Sequence, residues 1–101
     1  RDYIHVADLA DAHTAAAEFT ERGGAAEAFN IGTGFGSSVL EVVASVAKAV
    51  ADEVPVEIVD KRPGDPAELI ATADKATEVL DWSAQRTLDD MTASAARAAG
   101  L

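Results

Sequence analysis

Seven consecutive residues, Asp60-Lys61-Arg62-Pro63-Gly64-Asp65-Pro66, hold the chemistry that stands out first in this chain. Pro63 and Pro66 each fix φ, and Gly64 permits a turn that other residues resist. Arg62 offers a planar fork of donors that matches phosphate oxygens. Asp65 is an acceptor able to hold the vicinal hydroxyls of a ribose or hexose. An Arg and an Asp three residues apart on one stiff loop suit a phosphorylated sugar. They equally describe a surface loop with an internal ion pair, and residue types alone favour that plainer reading.

Arg1-Asp2-Tyr3-Ile4-His5-Val6 is the second dense polar segment. In extended backbone, Arg1, Tyr3 and His5 face one way and Asp2, Ile4 and Val6 the other. His5 has the chemistry of a general base, but no serine nucleophile or set of metal ligands accompanies it. His13 lies eight residues on, and a shared helix is not expected. A structural, hydrogen-bonded role is the expectation for both histidines. Ala7 stands four positions after Tyr3, so Tyr3 is not the tyrosine of a Tyr-x-x-x-Lys acid–base pair. A third segment, Gly32-Thr33-Gly34-Phe35-Gly36, invites a dinucleotide-binding reading. Its spacing is G-x-G-x-G rather than G-x-G-x-x-G, and no acid clearly fills the ribose-binding position roughly 20 residues on; Asp52, Glu53 and Glu57 are the nearest. A tight turn, not a cofactor site, is expected there.

These segments need elements to hold them. Asp8 looks like the cap of a helix running to about Arg22, with Leu9, Ala12, Ala16 and Phe19 on its inner face and Asp11 complementing its N-terminus. Gly23-Gly24 ends it. Ala28–Ile31 reads as a short strand. Ser38 and Glu41 form a capping-box pattern for a helix ending near Ala51, with Leu40, Val43, Val46, Ala47 and Val50 on one side. Val54–Val59, rich in β-branched residues, reads as a strand. Leu69–Ala71 reads as a very short one. A two-turn helix follows to Leu80, and Thr87 with Asp90 starts a last helix running to about Ala99. The expected fold class is α/β: one mainly helical unit over residues 1–101, with short strands that complete or pack against a larger domain.

Composition sets the bounds. The chain has 101 residues, a formal net charge of −10 and no cysteine. Disulfides, zinc–thiolate sites and cysteine nucleophiles are excluded, and a reducing cytoplasm fits. The acidic balance opposes binding to nucleic acid, and no apolar run approaches the ~20 residues of a membrane span. Of the eight Lys and Arg, Arg1, Lys61 and Arg62 fall in the two polar segments, a local departure from the overall charge. Alanine accounts for 23 residues, which favours helix but contributes little burial, so a partner surface is expected. Arg1 opens what reads as the middle of a folded element, so the expectation is a piece of a longer chain.

Five blocks then match one family in order and spacing: Arg1–Ala10 (RDYIHVADLA), Phe29–Gly34 (FNIGTG), Ser38–Val42 (SVLEV), Arg62–Ala67 (RPGDPA) and Leu80–Trp82 (LDW). Together they resemble the C-terminal, substrate-binding portion of the extended short-chain dehydrogenase/reductase family, nearest within it to the UDP-glucose 4-epimerases. Position 7 and Asp81, where the family often has Gly, depart from the pattern, and neither touches a presumed site. The resemblance implies an enzyme that oxidises C4 of a bound sugar with NAD, lets the keto sugar rotate, and returns hydride to the other face. It places the NAD loop and the Tyr-x-x-x-Lys pair in an N-terminal Rossmann domain that this chain does not contain, so no catalytic residue is expected here and the chain alone should be inactive. It assigns Arg1 and Arg62 to the diphosphate of a UDP-sugar, Asp65 to the uridine ribose, and Leu69 to the border of the sugar pocket. It also implies a homodimer formed through the other half. A related nucleotide-sugar dehydratase, reductase or uronate epimerase shares the Arg-Pro-Gly-Asp-Pro loop. A non-catalytic acidic interaction module is the reading from another class.

Overall fold

A computed structural model describes every residue from Arg1 to Leu101. Four helices follow one another: α1 (Val6–Glu21), α2 (Val39–Val50), α3 (Asp74–Leu80) and α4 (Leu88–Ala98). They associate as two pairs, α1 with α3 and α2 with α4.

The first pair holds the apolar core. Ala12 on α1, Ala76 and Leu80 on α3, and the following Trp82 are buried together, and Ile4, Phe19, Phe29 and Ile31 pack around them. The three- and four-residue spacing on α1 selects this face, and small alanines let the two helices approach closely. Phe19 meets Phe29 edge-on with ring centroids 6.1 Å apart. The buried Trp82 Nε1 donates to the Asp8 carbonyl at 3.0 Å, so the largest core side chain leaves no polar atom unpaired.

The second pair is joined through polar groups. Ser45 Oγ on α2 lies 2.6 Å from Thr92 Oγ1 and donates to Asp89 Oδ1 at 2.7 Å, while Lys48 Nζ reaches Asp89 Oδ2 at 2.8 Å. Both helices start with complete capping boxes, Ser38 with Glu41 and Thr87 with Asp90. The sequence pattern locates these two starts because the cap is a local interaction.

Three expectations change. First, Ala28–Ile31, Val54–Val59 and Leu69–Ala71 form no strand, and the described fold is helical with irregular connections rather than α/β with short strands. A strand exists only as part of a ladder, and the links present do not continue into one: Asp2 N to Leu69 O at 3.1 Å, and one reciprocal pair between Arg1 and Ser37 at 2.8 and 3.0 Å. The N–H groups of Thr33, Gly34 and Ala71 are instead taken by one side chain, the Asp2 carboxylate. Second, α1 begins at Val6 with His5 as its cap, the imidazole Nδ1 accepting from Ala7 N at 3.0 Å. Asp8, expected to be the cap, is instead fully buried within the first turn. Third, Leu40, expected on the inner face of α2, is 66% exposed.

Asp8 bridges elements far apart in sequence. Its carboxylate accepts from Gln85 N at 3.2 Å, Arg86 N at 3.0 Å and Arg86 Nη1 at 2.7 Å, and Arg86 also reaches Asp11 at 3.1 Å. Burial pushes the Asp8 carboxyl up, but the Arg86 guanidinium and the two backbone N–H groups outweigh it, so the group sits below the usual carboxylate range. Asp8 thus ties α1 to the approach to α4. His5 Nε2 makes a second tie to α4, 3.1 Å from Ser94 Oγ.

The result is a slab of 50 × 34 × 17 Å with a radius of gyration of 16.3 Å. A compact domain of this length has about 13 Å. Side chains that normally fill a core, among them Val39, Leu40, Ile58 and Val59, stand exposed. No helix is long and apolar enough to cross a membrane.

Replacing Asp8 by Ala leaves two backbone donors and a guanidinium without their acceptor, and should cost about 3 kcal/mol of stability, read as a lower urea midpoint. The pH dependence has a fixed sign. A carboxyl whose folded pKa is depressed contributes stability that is present above its unfolded pKa of about 3.9 and is lost as pH falls through the lower folded value. Urea midpoints taken at decreasing pH should therefore hold to about pH 4 and then fall, with a shallower fall in Asp8→Ala.

Candidate functional site

The structure brings Arg1, Arg62 and Asp65 together although the first two are 61 positions apart in the chain. Asp65 sits between the two guanidinium groups. Its Oδ2 accepts from Arg62 Nε at 2.8 Å, and its Oδ1 lies 3.9 Å from Arg1 Nη2. Arg1 Nη1 also donates to the Pro66 carbonyl at 3.2 Å, which draws the loop toward the N-terminal segment. The loop turns at Gly64, whose φ of +83° is open to glycine at little cost, and Asp65 N closes the turn on Arg62 O at 3.3 Å. Two guanidinium groups share one carboxylate, so the cluster keeps one unit of positive charge in a chain of net charge −10. The Arg62 side chain is 81% exposed, and such a surface pair is worth about 0–1 kcal/mol.

Arg1 separates two open hollows. One, of about 410 Å³, is bounded by Arg1, Ser37, Ser38, Ala67, Glu68 and Ile70. The other, of about 490 Å³, is bounded by Arg1, Asp2, Asn30, Leu69, Ile70 and Thr72, among others. Leu69, 59% exposed, therefore shares a hollow with Arg1 but not with Arg62 or Asp65, which stand on the rim beyond. The three polar residues converge, and Leu69 is joined to them through Arg1 and Asp2.

Asp2 is the residue that sequence reasoning passed over. Its Oδ1 accepts from Thr33 N at 2.9 Å and Thr33 Oγ1 at 2.7 Å, and its Oδ2 from Gly34 N at 2.9 Å and Ala71 N at 3.2 Å. Burial pushes this carboxyl up, but the Thr33 hydroxyl and three backbone N–H groups outweigh it and hold it below the usual range. Alternation in the sequence gave no hint of the donors that meet the Asp2 carboxylate, and Asp2 borders the same hollow as Arg1. The same bonds decide the glycine cluster. The N–H groups of Thr33 and Gly34 are occupied by Asp2, so this turn has no free cradle for a pyrophosphate.

Both histidines are held by neighbours. His5 Nδ1 accepts from Ala7 N, which leaves the proton on Nε2 to donate to Ser94 Oγ, whose hydroxyl passes to the Met91 carbonyl at 2.9 Å. His13 Nδ1 donates to Leu9 O at 2.8 Å, one helical turn back. Neither joins the arginine cluster, and no group of acids and histidines is placed to hold a metal ion.

Comparison with known proteins extends this picture. Residues 1–32 match the model of the NAD dependent epimerase/dehydratase family. The chain is 46% identical over 97 residues to UDP-glucose 4-epimerase of Bacillus subtilis, covering 96% of this chain and 29% of that protein. It is 47% identical over 93 residues to UDP-glucose 4-epimerase 3 of Oryza sativa, covering 90% and 25%. Among solved structures, UDP-glucose 4-epimerase of Stenotrophomonas maltophila with bound NAD and formylated UDP-arabinopyranose superposes with a TM-score of 0.89 at 40% identity, over 99% of this chain and 31% of that one. The Bifidobacterium longum enzyme in complex with NAD+ and UDP gives 0.82 at 45%, over 93% and 28%. The chain thus spans between a quarter and a third of the length of the relatives it matches. In sequence and in backbone course, it is similar to one part of these UDP-glucose 4-epimerases.

Proposed function

We propose that this chain is the sugar-nucleotide-binding portion of an NAD-dependent UDP-glucose 4-epimerase, and that its site is the rim formed by Arg1, Arg62 and Asp65. The observation that carries the reading is the convergence of these three residues on one exposed rim, in a chain 46% identical to a UDP-glucose 4-epimerase over nearly its whole length. In the complete polypeptide a Rossmann domain outside residues 1–101 would hold NAD, which would supply the hydride-transfer chemistry at C4 of the sugar.

The chain's own residues bind and orient. Arg1 and Arg62 donate to the diphosphate, whose two to three negative charges they offset locally against the acidic surround. Asp65, released from Arg62 as the phosphate arrives, accepts from the ribose hydroxyls. Leu69 borders the space beyond Arg1 in which the hexose lies. A leucine there is of intermediate bulk and leaves room for sugars of more than one shape. Anchoring by the nucleotide while the hexose stays loosely held is what rotation of the keto sugar requires. Holding the diphosphate equally in ground and transition states lowers KM without raising kcat.

In the segment Val54–Val59 the apolar side chains of Val56, Ile58 and Val59 stand exposed. This segment pairs or packs against the Rossmann part, as do exposed apolar residues of α2. The complete enzyme is read as a cytoplasmic protein and a homodimer assembled through helices of the other part. Residues 1–101 alone bring neither the NAD loop nor the Tyr-x-x-x-Lys pair and are inactive.

Arg62→Ala in the complete polypeptide should weaken UDP binding by about 10- to 100-fold, the equivalent of one charge-assisted contact. Titration calorimetry with UDP measures it, with NAD content as the internal control, which should not change. Unchanged UDP affinity would sink the assignment.

A further inference from the structure

The contacts that Arg1, Arg62 and Asp65 make with one another are too weak to fix their own geometry. The Arg1–Asp65 approach is 3.9 Å between half-buried side chains, the 2.8 Å Arg62–Asp65 bond comes from a guanidinium 81% exposed, and Arg1 Nη1 is 3.2 Å from a carbonyl. Exposed pairs of this kind do not hold side chains in one place. The main chain beneath them is held far more firmly, and by a single residue.

We propose that Asp2 is the positioning residue of this site: it sets the spacing between Arg1 and the Leu69–Ala71 segment, and through that the width of the hollow that receives the nucleotide sugar. This inference rests on the function proposed above. Asp2 grips the segment at two points, its own N–H donating to Leu69 O at 3.1 Å and its carboxylate accepting from Ala71 N at 3.2 Å. The same carboxylate anchors both to the 32–36 turn through Thr33 N, Thr33 Oγ1 and Gly34 N. Arg1, the preceding residue, is tied to that turn as well, its carbonyl accepting from Ser37 N at 2.8 Å. Apart from the side-chain contacts of Arg1 with Asp65 and Pro66, the links between the arginine and the sugar-pocket segment pass through Asp2 or the turn it holds.

Packing gives a second, independent indication. A Cβ at Gly32 would lie 2.6 Å from Ala71 Cβ and 2.8 Å from Asp2 Oδ2, and one at Gly36 would lie 2.8 Å from Ile70 Cδ1. The bare backbone of the turn thus lies directly against the 69–71 segment, with no slack for the segment to move inward. Asp2 itself does not serve the ligand, because both its oxygens already carry two donors each. An acid is needed rather than an amide. Asparagine has one acceptor oxygen and would turn its NH2 toward either Thr33 or Gly34 and Ala71, donor against donor. The depressed pKa of Asp2 keeps all four acceptor positions available at neutral pH.

The test is a set of three variants in the complete polypeptide with its NAD bound. Asp2→Asn should raise the UDP dissociation constant and the UDP-glucose KM by about tenfold while kcat stays within about twofold, the pattern of lost uniform binding. Thr33→Val, which removes one donor and leaves the charge, should give the same pattern at about threefold. NAD occupancy, read by absorbance, should not change in either. Arg62→Ala reports on the site itself. If Arg62→Ala weakens UDP binding but Asp2→Asn leaves it unchanged, the positioning role is wrong and the site stands. If kcat and NAD occupancy fall in step with UDP affinity, Asp2 is a general structural residue and the proposal is overturned. Should Asp2→Asn fail to fold, Thr33→Val decides, and unchanged UDP affinity there overturns the proposal. If Arg62→Ala leaves UDP binding intact, the site reading fails and takes this inference with it.

Discussion

Asp8 is the largest side chain in the protein with essentially no exposure, and it is charged. A buried carboxylate is tolerated only when its acceptor positions are filled, and here the backbone at Gln85 and Arg86 and the Arg86 guanidinium fill them. The consequence reaches beyond the pair. Because Asp8 stands in the first turn of α1, its bonds fix the chain just before α4 against the α1–α3 core. His5, three residues earlier, repeats the connection to α4 through Ser94. Without these polar links the two helix pairs would meet through little apolar surface, since so many alanines line them.

Asp2 plays the corresponding part on the other side of the same segment. Where a sheet would join the 1–5, 30–35 and 69–71 segments by a ladder, one carboxylate collects their N–H groups. Two aspartates six positions apart thus organise separate ends of the molecule, Asp8 the helices and Asp2 the loops. The residues that face solvent between those loops, Arg1, Arg62 and Asp65, are left with weak mutual contacts. The backbone beneath is thus held more firmly than the charged side chains it carries.

The slab shape follows from the same balance. Apolar residues such as Ile58 and Val59 have no partner within residues 1–101 and stay exposed, while the buried core remains a small cluster around Trp82. Chains of this length that fold by themselves are more compact. The extended form and the exposed β-branched segment agree with a surface built to be covered by further protein.

The sequence by itself determined the features whose physics is local. Capping boxes at Ser38 and Thr87, the glycine stop after α1, and the inner face of α1 were all readable, because each depends on residues within a turn or two of one another. The arginine–aspartate loop was readable as chemistry, and its five-block context as a family resemblance. Tertiary structure alone decided the rest. Asp8 looked like a cap because caps are recognised by type and neighbourhood; its true partners lie 77 and 78 positions away. Three segments with strand-like composition formed no ladder, because a ladder needs a neighbouring strand and propensity cannot supply one. Asp2 and its donors at Thr33, Gly34 and Ala71 are separated by up to 69 positions. No spacing rule spans such a distance, so only the folded chain shows that one carboxylate joins these segments.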